Sequence, residues 1–179
     1  MNKLGEYAKL QIGRKLAPRY EIFGCVEALS TIFKEATGEE LGEDASTYRL
    51  YLKLQKDARF MEVTEPICGD LILSPTGFGN GKIKNGHVGI FVSDTAPTGI
   101  IRKFYICSNN SKTLKWDNHY DLDSWKERYE RQGGFPVKYY RYLDKWSVKE
   151  EDKVVENLTQ QITILQKVVL LLKQLLGIK

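Results

Sequence analysis

The sequence predicts an α+β fold in which N-terminal helices pack on an antiparallel sheet, followed by a C-terminal heptad-patterned helix. The first third of the 179 residues carries apolar side chains at helical spacings of three and four. Further along the chain the pattern changes to short aliphatic and aromatic runs separated by turn signals. Helices followed by a meander of strands are typical of α+β domains. With 42% hydrophobic residues, the chain can build a core of its own.

Two helices are predicted in the N-terminal part, and the second begins at a cysteine. Apolar residues recur every fourth position across 4–16, and Pro18 is expected to end that helix. The second helix is expected to start close to Cys25 and to end near Gly38, with its apolar face on spacings of three and four.

A third short helix is predicted at 46–54, with Ser46 or Thr47 as its cap. Its buried face is predicted to consist of Tyr48, Tyr51 and Leu52. A further helix is expected around 124–131, ahead of the Gly133-Gly134 break.

Strands are predicted from short runs rich in β-branched, aliphatic and aromatic residues. The predicted strands are 70–74, 87–92, 100–108 and 137–143. The first is followed by Pro75 and a glycine-rich loop, and the Asn85-Gly86 dipeptide is a strong turn signal directly before the second. The order of these elements predicts an antiparallel sheet.

Composition excludes several classes of function. The net charge of +4 is spread along the chain, which suits an anionic polymer such as a cell wall but is too weak to indicate a nucleic-acid partner. Three cysteines form neither a CxxC pair nor a metal-ligand spacing with histidine, so no disulfide framework, metal or other cofactor is expected. The N-terminus lacks the pattern of a secretory signal, and no apolar run is long enough for a transmembrane span.

Cys25 is the candidate nucleophile. Sulfur attacks as the thiolate, and the N-terminus of a helix stabilises that anion through unpaired backbone N–H groups and the helix dipole. Cys25 lies where such a helix end is predicted, and Gly24 before it has no side chain to obstruct a substrate carbonyl. The alternative is that Cys25 is a small buried core residue, the commonest role of a free cysteine.

His87 is the candidate general base. The chain has two histidines, and His87 opens an apolar strand directly after a turn, with the small Gly89 on the same face. His119 lies in the polar stretch 115–121 and is predicted to be a solvated loop residue. The pairing of a cysteine at a helix start with a histidine at a strand start favours a cysteine-histidine mechanism.

A base histidine needs an acceptor that orients its second ring nitrogen. The strand after His87 ends in a polar run, from which Asn109 is predicted to be the orienting residue and Asn110 its alternative, because a shift of one residue turns a side chain to the other face. The competing interpretation is that the two asparagines merely form a turn.

Three segments together resemble a known family. They are FGCVEAL at 23–29, GDLILSPTG at 69–77 and NGHVGIFV at 85–92, followed by a polar strand end. This order is similar to that of the CHAP and NlpC-type cysteine peptidases and amidases, which cut peptidoglycan and share a papain-like α+β fold. The resemblance covers 20–143 and implies that Cys25 is the nucleophile, His87 the base and Asn109 the third residue.

The sequence also departs from that family. Many CHAP members have a glutamine directly before the cysteine and a glutamate two residues before the third-site asparagine, where this chain has Gly24 and Cys107. We therefore assign the oxyanion donor to the backbone N–H of Cys25, with the Tyr20 side chain as a candidate helper. Cys68 and Cys107 are in apolar strand contexts and are predicted to be core residues.

The implied organisation is a hydrolase domain at 1–146 and a separate helix at 147–179. The helix carries a heptad seam of alternating apolar positions, with β-branched residues mainly at a and leucine at d. The seam consists of Val155, Leu158, Ile162, Leu165, Val169, Leu172 and Leu176. It predicts homo-oligomerisation through a coiled coil; the alternatives are packing on the chain's own domain and a membrane-surface helix.

The function implied by the resemblance is hydrolysis of an amide bond in peptidoglycan, as in a phage endolysin that is stored in the host cytoplasm until it is released to the wall. The thiolate attacks the carbonyl, His87 protonates the leaving amine and water releases the acyl enzyme. Two other functions stay open: a non-catalytic wall-binding or virion structural module on the same fold, and an intracellular cysteine acyltransferase or deamidase.

Overall fold

A computed structural model of the chain describes residues 3–16, 24–42, 46–95, 101–143, 161–162 and 165–166, with the backbone alone at 94–95 and 101–102. The contacts within the chain divide it into two units, Met1–Tyr142 and Leu143–Lys179. The prediction had placed this boundary at 146. The first unit contains the sheet and both candidate catalytic residues.

The elements follow the predicted order, with helices first and strands afterwards, and one further helix precedes the last strand. The helices are α1 (Lys3–Leu10), α2 (Gly24–Thr37), α3 (Thr47–Leu54) and α4 (Leu122–Trp125), and α4 continues into a π-helical segment (Lys126–Gln132). The strands are β1 (Phe60–Val63), β2 (Leu71–Ser74), β3 (His87–Thr95), β4 (Ile101–Asn110), β5 (Lys115–Tyr120) and β6 (Lys138–Tyr142).

The strands form one six-stranded sheet in the order β1-β6-β2-β3-β4-β5, and every neighbouring pair is antiparallel. The predicted α+β class with an antiparallel sheet is thereby confirmed. Strand β3 runs through the middle of the sheet between β2 and β4, so both of its edges are paired. Its first residue is His87.

One face of the sheet, which we call the helix face, is covered by α1 and α2 and is mainly aliphatic. The alternate residues Val88, Ile90 and Val92 of β3 point to this face and are fully buried there. Leu29, Ile32 and Phe33 of α2 pack against them. The apolar residues of α2 therefore recur at spacings of three and four because that side of the helix packs on the sheet.

The opposite face, which we call the aromatic face, is covered by α4, the π-helical segment and the chain that follows. Phe91 of β3 and Ile106 of β4 point to it. Its buried core also contains Ile72, Trp125, Tyr129, Phe135 and Tyr139. A capping box at Asp121 and Ser124 fixes the start of α4 and therefore the position at which Trp125 meets the sheet.

Helix α1 is shorter than predicted, because it ends at Leu10 and not near residue 16. Gly13 follows in a left-handed conformation at φ 89°, and its N–H donates to the carbonyl of Trp116 at 2.8 Å. From there the chain runs beside β5, with Lys15 bridging to Lys115. The apolar spacing continues past the helix because Leu16 is buried by this edge contact.

The buried face of α3 was predicted wrongly. Tyr48 and Leu52 are 42% and 38% exposed, whereas Thr47, Leu50 and Leu54 are buried. Two overlapping stripes in this helix have helical spacing, and packing selected the one with the smaller side chains. Thr47 anchors the helix through its hydroxyl, which accepts a hydrogen bond from the backbone N–H of Thr76.

Strands β1 and β5 were not predicted. In β1 only Phe60 is fully buried, and in β5 only Trp116 is, so neither segment has the alternation that identifies a half-buried strand. His119 was predicted to be a solvated loop residue; it is exposed, but it lies in β5. Strand β4 also extends to Asn110, two residues beyond its predicted end.

Most of the predicted heptad seam lies outside the described residues. Residues 161–162 and 165–166 are helical, and the seam residues Ile162 and Leu165 are 55% and 63% exposed. Within the described part of the chain, no helix combines the length and apolar character needed to span a membrane.

Candidate active site

Cys25 is the second residue of α2, at the end of the helix where backbone N–H groups have no partner within the helix. Its own N–H and that of Val26 act to lower the pKa of the thiol. The predicted position of the cysteine at a helix start is therefore correct. The side chain is partly buried and packs against the helix face.

A third N–H group reaches the sulfur from β3, namely that of Val88. The N–H and carbonyl of Phe91 both bond toward the β2 side, to Asp70 and Gly69. Because backbone direction alternates along a strand, the N–H of Val88 points to the β4 side. Paired residues of β3 and β4 begin only at Ile90, so the N–H of Val88 lies beyond the last paired residue of the two strands.

The thiol is nevertheless protonated at rest. Burial raises the pKa of Cys25 to about 11, although the N–H groups of Val26, Cys25 and Val88 act in the opposite direction. Loss of hydration penalises a thiolate more than these three donors favour it. An anion at this position therefore forms only when the sulfur reacts or when the pH is high.

His87 lies on the aromatic face and is 9% exposed. Its Nε2 is 3.1 Å from the hydroxyl oxygen of Ser108. The ring stacks on Trp125 and on Tyr129, with centroid distances of 5.3 and 5.8 Å. Trp125 is itself fixed, because its indole N–H donates to the hydroxyl of Ser74, the residue paired with His87 in the sheet. The imidazole is thus held by stacking and one hydrogen bond.

Burial, together with the neighbouring positive groups His119 and Arg128, lowers the pKa of His87 to about 3. The imidazole is therefore neutral at pH 7. Since the Cys25 thiol is also neutral, the resting site contains no thiolate-imidazolium ion pair. The Val88 N–H that acts on the thiol belongs to the residue directly after His87, but the imidazole itself lies on the aromatic face, whereas Cys25 packs on the helix face.

Asn109 lies on the other side of the sheet from the imidazole. It pairs with Trp116, whose ring belongs to the helix face, and it is 3% exposed. Its Oδ1 has no hydrogen-bond partner among the described residues. The bond to His87 predicted for Asn109 is instead made by Ser108, its neighbour in β4. Asn110 accepts from the backbone N–H of Lys112 and fixes the following turn.

Ser108 is the site residue that sequence reasoning missed. The polar end of β4 was predicted to supply the partner of His87. The side chain that faces the histidine is Ser108, one residue before the predicted Asn109. That shift moves the contact from the helix face to the aromatic face. Tyr20, the candidate oxyanion helper, lies outside the described residues.

Gly89 leaves no space for a substrate beside the imidazole, because β4 occupies the place of its missing side chain. A β-carbon there would lie 2.7 Å from the carbonyl oxygen of Cys107 and 3.1 Å from the β-carbon of Ser108. Glycine is required because β4 passes at close range. The contact brings Ser108 within reach of the imidazole two residues earlier in β3.

The other two cysteines are outside this site. Cys107 is fully buried in the helix-face core, as predicted, and burial raises its pKa to about 12. Cys68 is only partly buried at the edge of that core. Among the described residues, no cluster of three or more histidine, cysteine or acidic side chains could hold a metal ion.

A comparison of the chain with models of protein families and a comparison with curated protein sequences find no match.

Proposed function

We propose that the chain is a papain-like cysteine hydrolase that cleaves an amide bond of peptidoglycan, with Cys25 as nucleophile and His87 as general base. The observation that carries the proposal is the environment of the Cys25 sulfur. Three backbone N–H groups act to lower the pKa of its thiol, two at a helix start and one on the residue directly after His87. Donors arranged in this way stabilise negative charge that develops during acyl transfer.

The neutral resting pair supports proton transfer during attack, in place of a preformed ion pair. His87 accepts the thiol proton as the sulfur bonds to the substrate carbonyl, and later gives it to the leaving amine. Water then hydrolyses the thioester. Since Nε2 is bonded to Ser108, Nδ1 is the ring nitrogen that exchanges the proton. Ser108 is the residue to which we assign orientation of the ring.

The substrate class rests on the sequence. The three segments that resemble CHAP and NlpC-type enzymes contain Cys25 and His87 at the positions that the family's motifs require, and the net charge of +4 suits an anionic wall. In this proposal the protein acts as an endolysin, held in the host cytoplasm and released to the wall at lysis.

One observation favours a second function, a wall-binding or virion structural module without catalysis. The His87 imidazole is packed between Trp125 and Tyr129 with a pKa of about 3, which makes it a weak base. In such a module Cys25 and His87 would be packing residues only.

Turbidity clearing separates the two functions. Wild type is expected to clear a suspension of purified cell walls, whereas Cys25→Ser is expected to lose at least about a thousandfold in rate, because a serine hydroxyl is a far weaker nucleophile beside a poor base. The thermal unfolding temperature of the variant serves as the folding control. Binding of walls by both proteins without clearing would replace the hydrolase with the structural module.

We also propose that the helix at 147–179 makes the protein a homo-oligomer. Burial of a large apolar side chain against a partner stabilises the protein by about 1.5 to 3 kcal/mol. The seven apolar seam residues therefore favour association of the helix with a second copy. Light scattering should give an oligomer for the full chain and a folded monomer for a chain ending at Trp146, with cleavage of soluble wall peptides retained. A monomeric full chain would contradict the coiled coil.

A further inference from the structure

We infer that Asn109 is a substrate-binding residue whose side-chain carbonyl accepts a hydrogen bond from the N–H of the amide that Cys25 attacks. The inference rests on the proposed hydrolase function and adds a specificity to it. Asn109 would select amides that carry an N–H over esters and fully substituted amides.

The position of Asn109 follows from the register of β3 and β4. Ile90 is paired with Cys107, and a β-carbon at Gly89 would touch both Cys107 and Ser108. If this antiparallel register continues past Ile90, Ser108 lies across from Gly89 and Asn109 lies across from Val88. The N–H of Val88 is the group that reaches the Cys25 sulfur. Asn109 therefore lies on β4 across from Val88, the β3 residue whose N–H acts on the Cys25 thiol.

The neighbouring donors are already committed. The indole N–H of Trp116, which is paired with Asn109, donates to the carbonyl of Ala8 at 2.9 Å. The imidazole of His87 is bonded to Ser108, and the N–H of Val88 is directed at the sulfur. Asn109 Oδ1 is thus a buried acceptor without a partner among the described residues. Such groups are rare in proteins because burial costs them their hydration.

A substrate amide supplies the donor that this acceptor needs. Its N–H is attached to the carbonyl carbon that the sulfur attacks, so an acceptor beside the sulfur meets the N–H when the carbonyl is in place. An ester has no such donor and would leave Oδ1 unpaired. A site that binds a polar group of its substrate discriminates strongly against analogues that lack the group.

Alkylation tests the inference without hydrolysis. The full-length chain is treated at pH 9 with iodoacetamide, which carries amide N–H groups, and with N,N-dimethyl-2-iodoacetamide, which does not. Labelling of the Cys25 peptide is measured by mass spectrometry and divided by that of Cys68 for each reagent. We expect the corrected preference for iodoacetamide to be at least about fivefold in wild type and to disappear in Asn109→Leu.

Asn110→Ala is the matched control, because it removes an asparagine one residue away whose Oδ1 accepts from Lys112 and faces no thiol. Its reagent preference should equal that of wild type. An equal preference in Asn109→Leu and wild type would overturn the inference. Asn109→Leu should also unfold at a higher temperature than wild type, since it replaces an unpaired buried carbonyl with an apolar group of similar size. A lower unfolding temperature would mean that Asn109 has a structural partner, which also overturns it.

Hydrolysis of soluble wall peptides gives the third measurement. Asn109→Leu should raise KM about tenfold and leave the pH profile of kcat unchanged, because the lost contact is with the substrate. A lower kcat with a shifted pH profile would mean that Asn109 orients His87. If wild type hydrolyses nothing, the proposed function fails, while the alkylation preference still decides whether Asn109 binds an amide beside the thiol.

Discussion

The two faces of the sheet bury their residues by different means, although β3 contributes alternate side chains to both. On the helix face the core is aliphatic, and Leu29 and Ile32 of α2 pack on Val88 and Ile90. On the aromatic face, rings and polar atoms are interleaved: Trp125 bonds to Ser74 and stacks on the imidazole of β3. Close packing of aliphatic side chains dominates the first face, with the Trp116–Ala8 hydrogen bond beside it, whereas on the second face directed hydrogen bonds hold the rings next to His87.

The comparison explains the electrostatics of the two candidate catalytic residues, which belong to different faces. Cys25 approaches from the helix face and His87 from the aromatic face, and each is shifted toward its neutral form by the apolar surroundings on its own side. Burial outweighs the helix N-terminus for the thiol. It follows that the site gains its charges only during reaction, and not in the resting protein.

The largest expected effect comes from removing the imidazole on the aromatic face. His87→Ala should reduce wall clearing by at least about a thousandfold, because no other described base is bonded into this site. His119→Ala, 6.5 Å away between ring centroids, should retain most of the activity because its side chain is exposed. Rates of turbidity loss measure both.

The two histidine variants control for one another. Comparable activity in His87→Ala and His119→Ala would show that His87 is not the base. The aromatic face would then contribute no catalytic residue. Circular dichroism of both variants distinguishes lost chemistry from lost fold.

A second expectation concerns stability. Leu29→Ala on the helix face should lower the free energy of unfolding by about 2 to 5 kcal/mol, because a fully buried leucine leaves a cavity. Trp125→Phe keeps an aromatic ring and should cost about 1 to 3 kcal/mol, mainly through the unpaired hydroxyl of Ser74. Urea denaturation measures both. The comparison would be contradicted if Trp125→Phe were harmless, because directed hydrogen bonding would then contribute nothing to the aromatic face.

The smallest expected effect is a pH dependence of the thiol. Because the pKa of Cys25 is raised to about 11, its thiolate fraction should grow about tenfold with each pH unit from 7 to 10, and the alkylation rate should follow. A thiolate-imidazolium pair would instead give a rate that is constant across this range. Mass spectrometry of the Cys25 peptide after timed iodoacetamide treatment distinguishes the two results.

The helix that carries the thiol and the strand that carries the imidazole could both be predicted from the sequence. Helix α2 combines an uninterrupted apolar stripe with Gly38, which takes a left-handed conformation at φ 76° after the last helical residue. Strand β3 begins directly after the Asn85-Gly86 turn signal. In both cases local conformation and tertiary packing favour the same structure, so short-range patterns suffice.

Edge strands could not be predicted, because their stability comes from distant partners. Strand β5 is a polar segment with Trp116 as its one fully buried residue, and it is held by main-chain bonds to β4 and to Gly13 and Arg14.

The identity of the residue that bonds to His87 also could not be predicted, because it depends on the register of the strands. Ser108 and Asn109 are equally polar neighbours, and only the pairing of β3 with β4 decides which of them faces His87.

The position of β6 has a consequence for biosynthesis. This strand lies between β1 and β2, yet it is made long after both, and its Lys138 bonds to Glu62 across 76 residues at 2.7 Å. At about 5 to 20 residues per second, a ribosome needs roughly 4 to 15 seconds to make that segment. Throughout this interval β1 has no strand to pair with and one edge of β2 is open. A nascent chain of this protein therefore presents unpaired strand edges for seconds, a period in which chaperones that bind extended segments can engage it.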